Sequence, residues 1–193
     1  VVFALGDVSG KGIEAAAITA MVRNTLRVYF TEGLAPDEVA KRTNDVIHTF
    51  TEPDTFVTAA FGILDPSSGR IIYTSAGHPP VLIVSPAGEV SELDVLSPVL
   101  GALPEMEYVC AEHILEPGNC LIAYSDGVIE ARGTSGFFGE ERLLKLVASL
   151  GGRRPQAVVS EVFTRIEEYS HRELRDDVAI LALCREDDDT TSR

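Results

Sequence analysis

The 193-residue chain carries 30 acidic and 16 basic residues, a net charge of −14. At 45% hydrophobic and 24% charged it falls in the globular range, which excludes disordered and fibrous classes. The acidity repels nucleic acid and anionic lipid, and no apolar run reaches the length of a membrane span, so neither nucleic acid nor direct membrane contact is expected.

Val1-Val2-Phe3-Ala4-Leu5 opens the chain as a strand entered midway, which predicts that the natural protein continues upstream. A strand over 1–7 leads into Gly6-Asp7-Val8-Ser9-Gly10-Lys11-Gly12, and a helix follows from about Ile13 to Phe30, ended near Gly33. Ala35-Pro36-Asp37-Glu38 starts a second helix reaching about Phe50, and the short link predicts an antiparallel helix pair. The first helix carries two apolar stripes, Ile18, Val22, Leu26, Tyr29 and Ile13, Ala17, Met21, Val28. One stripe suffices for a surface helix, so two predict a helix packed on both sides, with the lending of one face to a partner as the alternative.

Strand signals then dominate. Phe56–Leu64 and Arg70–Ser75 flank the turn Asp65-Pro66-Ser67-Ser68-Gly69, and Val81–Val84 and Glu89–Leu93 flank Ser85-Pro86-Ala87-Gly88. Glu107–Leu115 and Asn119–Tyr124 flank Glu116-Pro117-Gly118, which predicts a third hairpin. Helices over about 140–150 and 155–172 and a last strand over 178–184 complete the order. Hairpins with segregated helices predict an α+β class with a mostly antiparallel sheet in one domain. The run Glu186-Asp187-Asp188-Asp189 reads as a solvated, disordered tail over 186–193. Cys110, Cys120 and Cys184 contain no Cys-x-x-Cys pair and are read as small buried hydrophobes of a reduced, cytoplasmic compartment.

Three aspartates stand beside short apolar runs: Asp7 in the first block, Asp126 in Tyr124-Ser125-Asp126-Gly127, and Asp176 in Arg175-Asp176-Asp177-Val178. Carboxylates at strand ends beside tight turns are hard oxygen ligands on a rigid frame, suited to Mg²⁺ or Mn²⁺ and to chemistry on an anionic substrate such as phosphate. Each also has a plain reading, since Asp-Gly is a common turn dipeptide and Asp176-Asp177 also suits a solvated strand start. The glycine block at 6–12 fits neither the Gly-x-x-x-x-Gly-Lys-Ser/Thr nucleotide loop nor the Gly-x-Gly-x-x-Gly dinucleotide loop. Lys11 faces either a bound phosphate or solvent. His78, in Ala76-Gly77-His78-Pro79-Pro80, either orients a group near the site or is structural.

Together these blocks resemble the SpoIIE/RsbU-type serine/threonine phosphatases, a bacterial branch of the metal-dependent (PPM) protein phosphatases. The similarity also runs through Thr58-Ala59-Ala60-Phe61-Gly62, Leu115-Glu116-Pro117-Gly118, Val128-Ile129-Glu130-Ala131-Arg132 and Phe138-Gly139-Glu140-Glu141-Arg142-Leu143. The resemblance implies a four-layer fold over residues 1–185, an antiparallel β-sandwich flanked by helix pairs. It also implies two Mn²⁺ or Mg²⁺ ions at one end. By motif, Asp7 is the bridging ligand, helped by the Val8 carbonyl, Asp126 and Asp176 bind the second ion, and Asp177 is the lesser candidate of its pair. The ions of such enzymes activate a water that attacks phosphorus in line. The family has a further aspartate in a strand before its first Gly-Asp block, so this domain is expected to be truncated at its N-terminus. The implied partners are a phosphorylated STAS-domain anti-sigma-factor antagonist as substrate and an upstream sensor that acts through the helix pair at 13–50. A homodimer is left open. The competing reading is a catalytically silent regulatory module of the same fold that binds its partner protein.

Overall fold

The computed structural model describes residues 1–93 and 95–186. Five longer strands and helices open the chain: β1 (Val2–Val8), α1 (Ile13–Thr31), α2 (Pro36–Phe50), β2 (Val57–Leu64) and β3 (Arg70–Ala76). Then come β4 (Val81–Val84), β5 (Val90–Leu93), β6 (Ala111–Ile114), β7 (Cys120–Tyr124), α3 (Asp126–Ile129), β8 (Arg132–Gly133) and β9 (Gly136–Phe137). The order ends with α4 (Glu140–Ala148), α5 (Pro155–Tyr169) and β10 (Ile180–Cys184). No described helix is long and apolar enough to cross a membrane. The described residues divide into two compact units: 1–65, 70–78 and 95–113 in the first, 66–69, 79–93 and 114–186 in the second.

The first unit is a four-stranded sheet, order β1-β2-β3-β6, with the α1–α2 pair. β1 runs antiparallel to β2, with Asp7 opposite Thr58 and Val8 opposite Val57. Alternation along the strands divides their side chains between two faces. Val8, Val57, Ala59 and Phe61 join Val22, Leu26, Val39 and Ile47 in one core cluster, so that face carries the helices. Asp7 and Thr58 sit on the other. Pro36 opens α2 in its first turn, where a missing N–H is harmless, with Asp37 and Glu38 beside it.

A buried asparagine joins α2 to the loop before β6. Asn44 Oδ1 accepts from the Gly101 N–H at 2.8 Å and the Tyr108 hydroxyl at 3.1 Å, while its Nδ2 donates to the Leu103 carbonyl at 3.0 Å. Asn44→Ala would leave those buried groups unpaired. It is expected to destabilise the fold by about 2–3 kcal/mol and to lower Tm by roughly 5–10 °C in a calorimetric scan.

The second unit is a four-stranded antiparallel sheet, order β10-β7-β4-β5, with α5 against β10 and α4 against β5. Every residue of β4 and β7 is buried. Leu82, Ile122, Val128, Leu143, Val147, Val158, Val162 and Ile166 lie in its core cluster. The i, i+4 spacing of Val158, Val162 and Ile166 is the apolar stripe that seats α5.

Several expectations need correction. The third hairpin does not form, because β6 joins the sheet of β1–β3 while β7 pairs with β4 and β10. Residues 107–110 form no strand, α4 and α5 stop at Ala148 and Tyr169, and β10 begins at Ile180. The first helix is not packed on both sides within its unit: Val22 and Leu26 of one stripe are buried, but Ile13 and Val28 of the other are 90% and 54% exposed. Cys110 is exposed rather than buried. Cys120 and Cys184 face each other across the β7–β10 ladder and are joined as a disulfide, so they are not independent thiols. The predicted tail beyond Glu186 lies outside the described residues.

Candidate active site

Asp7 stands half-buried near the end of β1. Gly6 precedes it because β1 and β2 approach closely there; a Cβ on Gly6 would lie 2.7 Å from the Thr58 carbonyl oxygen. After Val8 the chain is clamped to β2's start, where the Ser9 N–H donates to the Phe56 carbonyl and the Phe56 N–H to the Ser9 hydroxyl, both at 2.9 Å. Gly10 (φ 97°) and Gly12 (φ 84°) then take left-handed conformations that turn the chain into α1. Lys11 is exposed. His78 is buried, with Nδ1 3.5 Å from the hydroxyl of Thr58, the residue opposite Asp7. It therefore belongs to the same corner of the first unit as Asp7.

The second unit ties the turn that carries Asp126 to the segment that carries Asp176. β7 ends at Tyr124, and Asp126 is the first residue of the short helix α3. Ser125 occupies the cap position, yet its hydroxyl makes no capping bond. Instead Ser125 fastens this turn to the segment before β10. Its N–H donates to the Ala179 carbonyl at 3.0 Å, its hydroxyl accepts from the Ala179 N–H at 2.9 Å, and the same hydroxyl donates to the Asp177 carbonyl at 3.2 Å. Gly127 touches the same segment so closely that any Cβ would strike the Asp177 carbonyl oxygen. Asp176 Oδ1 accepts from the Asp177 N–H at 2.9 Å, which fixes the carboxylate in a local turn. Gly127 and Asp176 line a cavity of about 100 Å³ that Asp177 does not line. Tyr124 adds no proton acceptor, because burial, reinforced by Glu140 and Glu92, pushes its phenol up to about 12.

The four predicted ligands are thus divided two and two: Asp7 with Val8 in the first unit, Asp126 with Asp176 in the second. Among the described residues no three His, Cys, Asp or Glu side chains are gathered as a metal-holding group. The donor chemistry nonetheless fits a hard divalent cation, since every candidate offers carboxylate or carbonyl oxygen. The closeness enforced at Gly127 fits it too, for it holds two acidic segments together that would otherwise repel. Two contributors went unread in the sequence. The Ser125 fastening had a signal, a serine directly before Asp-Gly at a strand end, but that block reads as an ordinary turn. The β8–β9 hairpin, two residues per strand, gives no periodicity to read.

The model of the SpoIIE family, Stage II sporulation protein E, matches residues 1–186. The chain belongs to the SpoIIE family. The phosphoserine phosphatase RsbU of Bacillus subtilis is 28% identical over 183 residues, covering 94% of this chain and 55% of RsbU. The solved RsbU and RsbW domains of a Mycobacterium tuberculosis protein are 27% identical with a TM-score of 0.79, covering 96% of this chain and 51% of that one. RsbX solved in complex with magnesium is 17% identical with a TM-score of 0.67, covering 94% of this chain and 79% of that one, a likeness of fold. The chain spans between 27% and 55% of the length of the curated relatives it matches. These likenesses place the chain in the SpoIIE family, with a fold similar to that of the solved RsbU and RsbW domains. Its fold is the expected α+β type, built of antiparallel sheets with helix pairs.

Proposed function

We propose that this SpoIIE-family domain is a Mn²⁺- or Mg²⁺-dependent phosphatase. Its substrate would be phosphoserine or phosphothreonine on a STAS-domain anti-sigma-factor antagonist in cytoplasmic bacterial signalling, under the control of a sensor elsewhere in the full-length protein. The observation that carries the reading is the fastening of Asp126 to the Asp176 segment through Ser125 and Gly127. RsbU's name as a phosphoserine phosphatase and the magnesium of the RsbX complex support it.

Asp126 and Asp176 would hold one ion, and Asp7 with the Val8 carbonyl would serve the bridging position. A bound divalent ion supplies water activation and charge stabilisation at phosphorus. The chain's part is to orient the carboxylates. Ser125, just before Asp126, grips the backbone just after Asp176 at Asp177 and Ala179, and the local turn at Asp176 restricts its rotamer. No side-chain nucleophile is required.

The test is phosphate release from a phosphorylated STAS-domain protein with and without Mn²⁺. Mn²⁺-dependent release, removed by a chelator, is expected; absence of release, or an unchanged rate in Asp126→Ala, would overturn the reading. The lack of a three-acid group among the described residues favours the second reading, a silent module that binds its partner without turnover. Calorimetry separates the two, because a silent module takes up no Mn²⁺ specifically.

A further inference from the structure

We infer that Arg132, assisted by Arg175, forms a seat for the phosphoryl group of the substrate beside Asp176. This inference rests on the phosphatase reading and names a substrate-binding group within that site. Arg132 opens β8, which pairs with β9 through only two rungs, Arg132 opposite Phe137 and Gly133 opposite Gly136. Most of this hairpin is exposed, so it adds little to the core. It is nevertheless pinned from several sides. The Tyr169 hydroxyl lies 3.2 Å from the Gly136 carbonyl and 3.0 Å from the Phe137 carbonyl, positioned to donate its one hydrogen to either. Arg142 Nη1 donates to the Phe137 and Phe138 carbonyls at 3.1 and 2.8 Å. Gly133 lies so near α5 that a Cβ there would sit 2.6 Å from the Tyr169 carbonyl oxygen.

A short exposed ribbon held this firmly presents something in a fixed place. What it presents is the Arg132 guanidinium, 4.7 Å from the centroid of the Phe137 ring. Stacking on an aromatic face restrains the planar group and leaves its edge donors open. Arg132, Phe137, Arg175 and Asp176 line the same cavity of about 100 Å³, with Gly127 and Glu130. Some basic side chains of this acidic protein pair with glutamates, as Arg42 does with Glu38, Arg70 with Glu112 and Arg165 with Glu161. Among the described residues neither Arg132 nor Arg175 makes an ion pair. Two guanidinium groups without acidic partners, next to a candidate ligand of a divalent cation, form a receptor for a tetrahedral dianion. Arginine suits that task because its fork matches two phosphoryl oxygens at once.

The experiment compares the wild-type chain with Arg132→Ala, Arg132→Lys and Arg175→Ala in two readouts. The first titrates inorganic phosphate into the metal-free protein and follows the amide signals of Gly133 and Phe137 by NMR. The second measures KM and kcat for a phosphoserine peptide in the Mn²⁺-loaded protein. Arg132→Ala is expected to weaken phosphate binding and raise KM about tenfold each, with kcat changed less than about twofold, because uniform binding is lost. Arg132→Lys, which keeps the charge but not the fork, should fall between. Unchanged phosphate affinity in Arg132→Ala at unchanged Tm would overturn the inference, as would phosphate-induced shifts confined to other parts of the chain. A wild-type protein that binds phosphate at this hairpin but hydrolyses no phosphopeptide would instead remove the phosphatase reading and leave the seat standing.

Discussion

Asp126→Asn is expected to lower the rate of phosphate release about a thousandfold while leaving Tm within about 2 °C of the wild type, since loss of a metal's charge stabilisation is worth several kcal/mol. The exchange is isosteric and keeps the first residue of α3, whose carbonyl accepts from the Glu130 N–H at 2.8 Å. It removes only the charge that would hold a cation. Asp176→Asn should behave alike, because Asp176 lines the cavity beside Gly127. Asp177→Asn should cost far less: the contribution of Asp177 to the fastening is its backbone carbonyl, which the Ser125 hydroxyl reaches at 3.2 Å. Steady-state kinetics at saturating Mn²⁺, paired with calorimetric uptake of Mn²⁺ by each variant, makes the comparison. Equal losses in Asp176→Asn and Asp177→Asn would mean that the pair was assigned in the wrong order.

Gly127→Ala is the second large effect. Alanine is the better helix former by about 1 kcal/mol, so on propensity alone the change should stabilise α3. Space decides otherwise. The new methyl would strike the Asp177 carbonyl oxygen, a backbone atom that cannot swing aside. The segment carrying Asp176 and Asp177 must back away, stretching the bonds between Ser125 and Ala179. Overpacking of this kind costs about 1–3 kcal/mol. Displacing a ligand by about 1 Å is worth roughly a hundredfold in rate. Activity is therefore expected to fall about a hundredfold, with faster hydrogen exchange at the Ala179 amide. Wild-type kinetics with intact exchange protection at Ala179 would show that the turn tolerates the methyl and that the closeness does not position the acids.

What the sequence made legible followed local chemistry. The turns at 65–69 and 85–88 predicted hairpins that form with β2–β3 and β4–β5 in register. Proline at the start of α2 and Gly33 after α1, at φ 81°, marked helix ends where they occur. The misreadings were non-local. Glu116-Pro117-Gly118 has the same turn chemistry whether its flanking segments pair or part, and here β7 finds its partners at Leu82–Val84 and Ile180–Cys184. Periodicity in α1 could show two apolar stripes but not that Ile13 and Val28 would remain uncovered within their unit, since that depends on what packs nearby. The Cys120–Cys184 pairing spans 64 residues and leaves no spacing signal. At the candidate site Asp7 and Asp126 were legible because Asp beside Gly at a strand end is a local pattern, and Asp176 because it precedes a short apolar run. The residues that hold them were not, because Ser125 acts on a segment more than fifty residues away.

The cross-strand cysteine pair has one more consequence. Strand pairs can slide, and a shift of one residue turns every side chain to the opposite face. The β10–β7 ladder runs from Ile180 opposite Tyr124 to Cys184 opposite Cys120, with Ser125 gripping Ala179 just past one end and a covalent staple at the other. Slippage is blocked from both directions, so the ladder acts as a fixed ruler for the path between the two acidic turns.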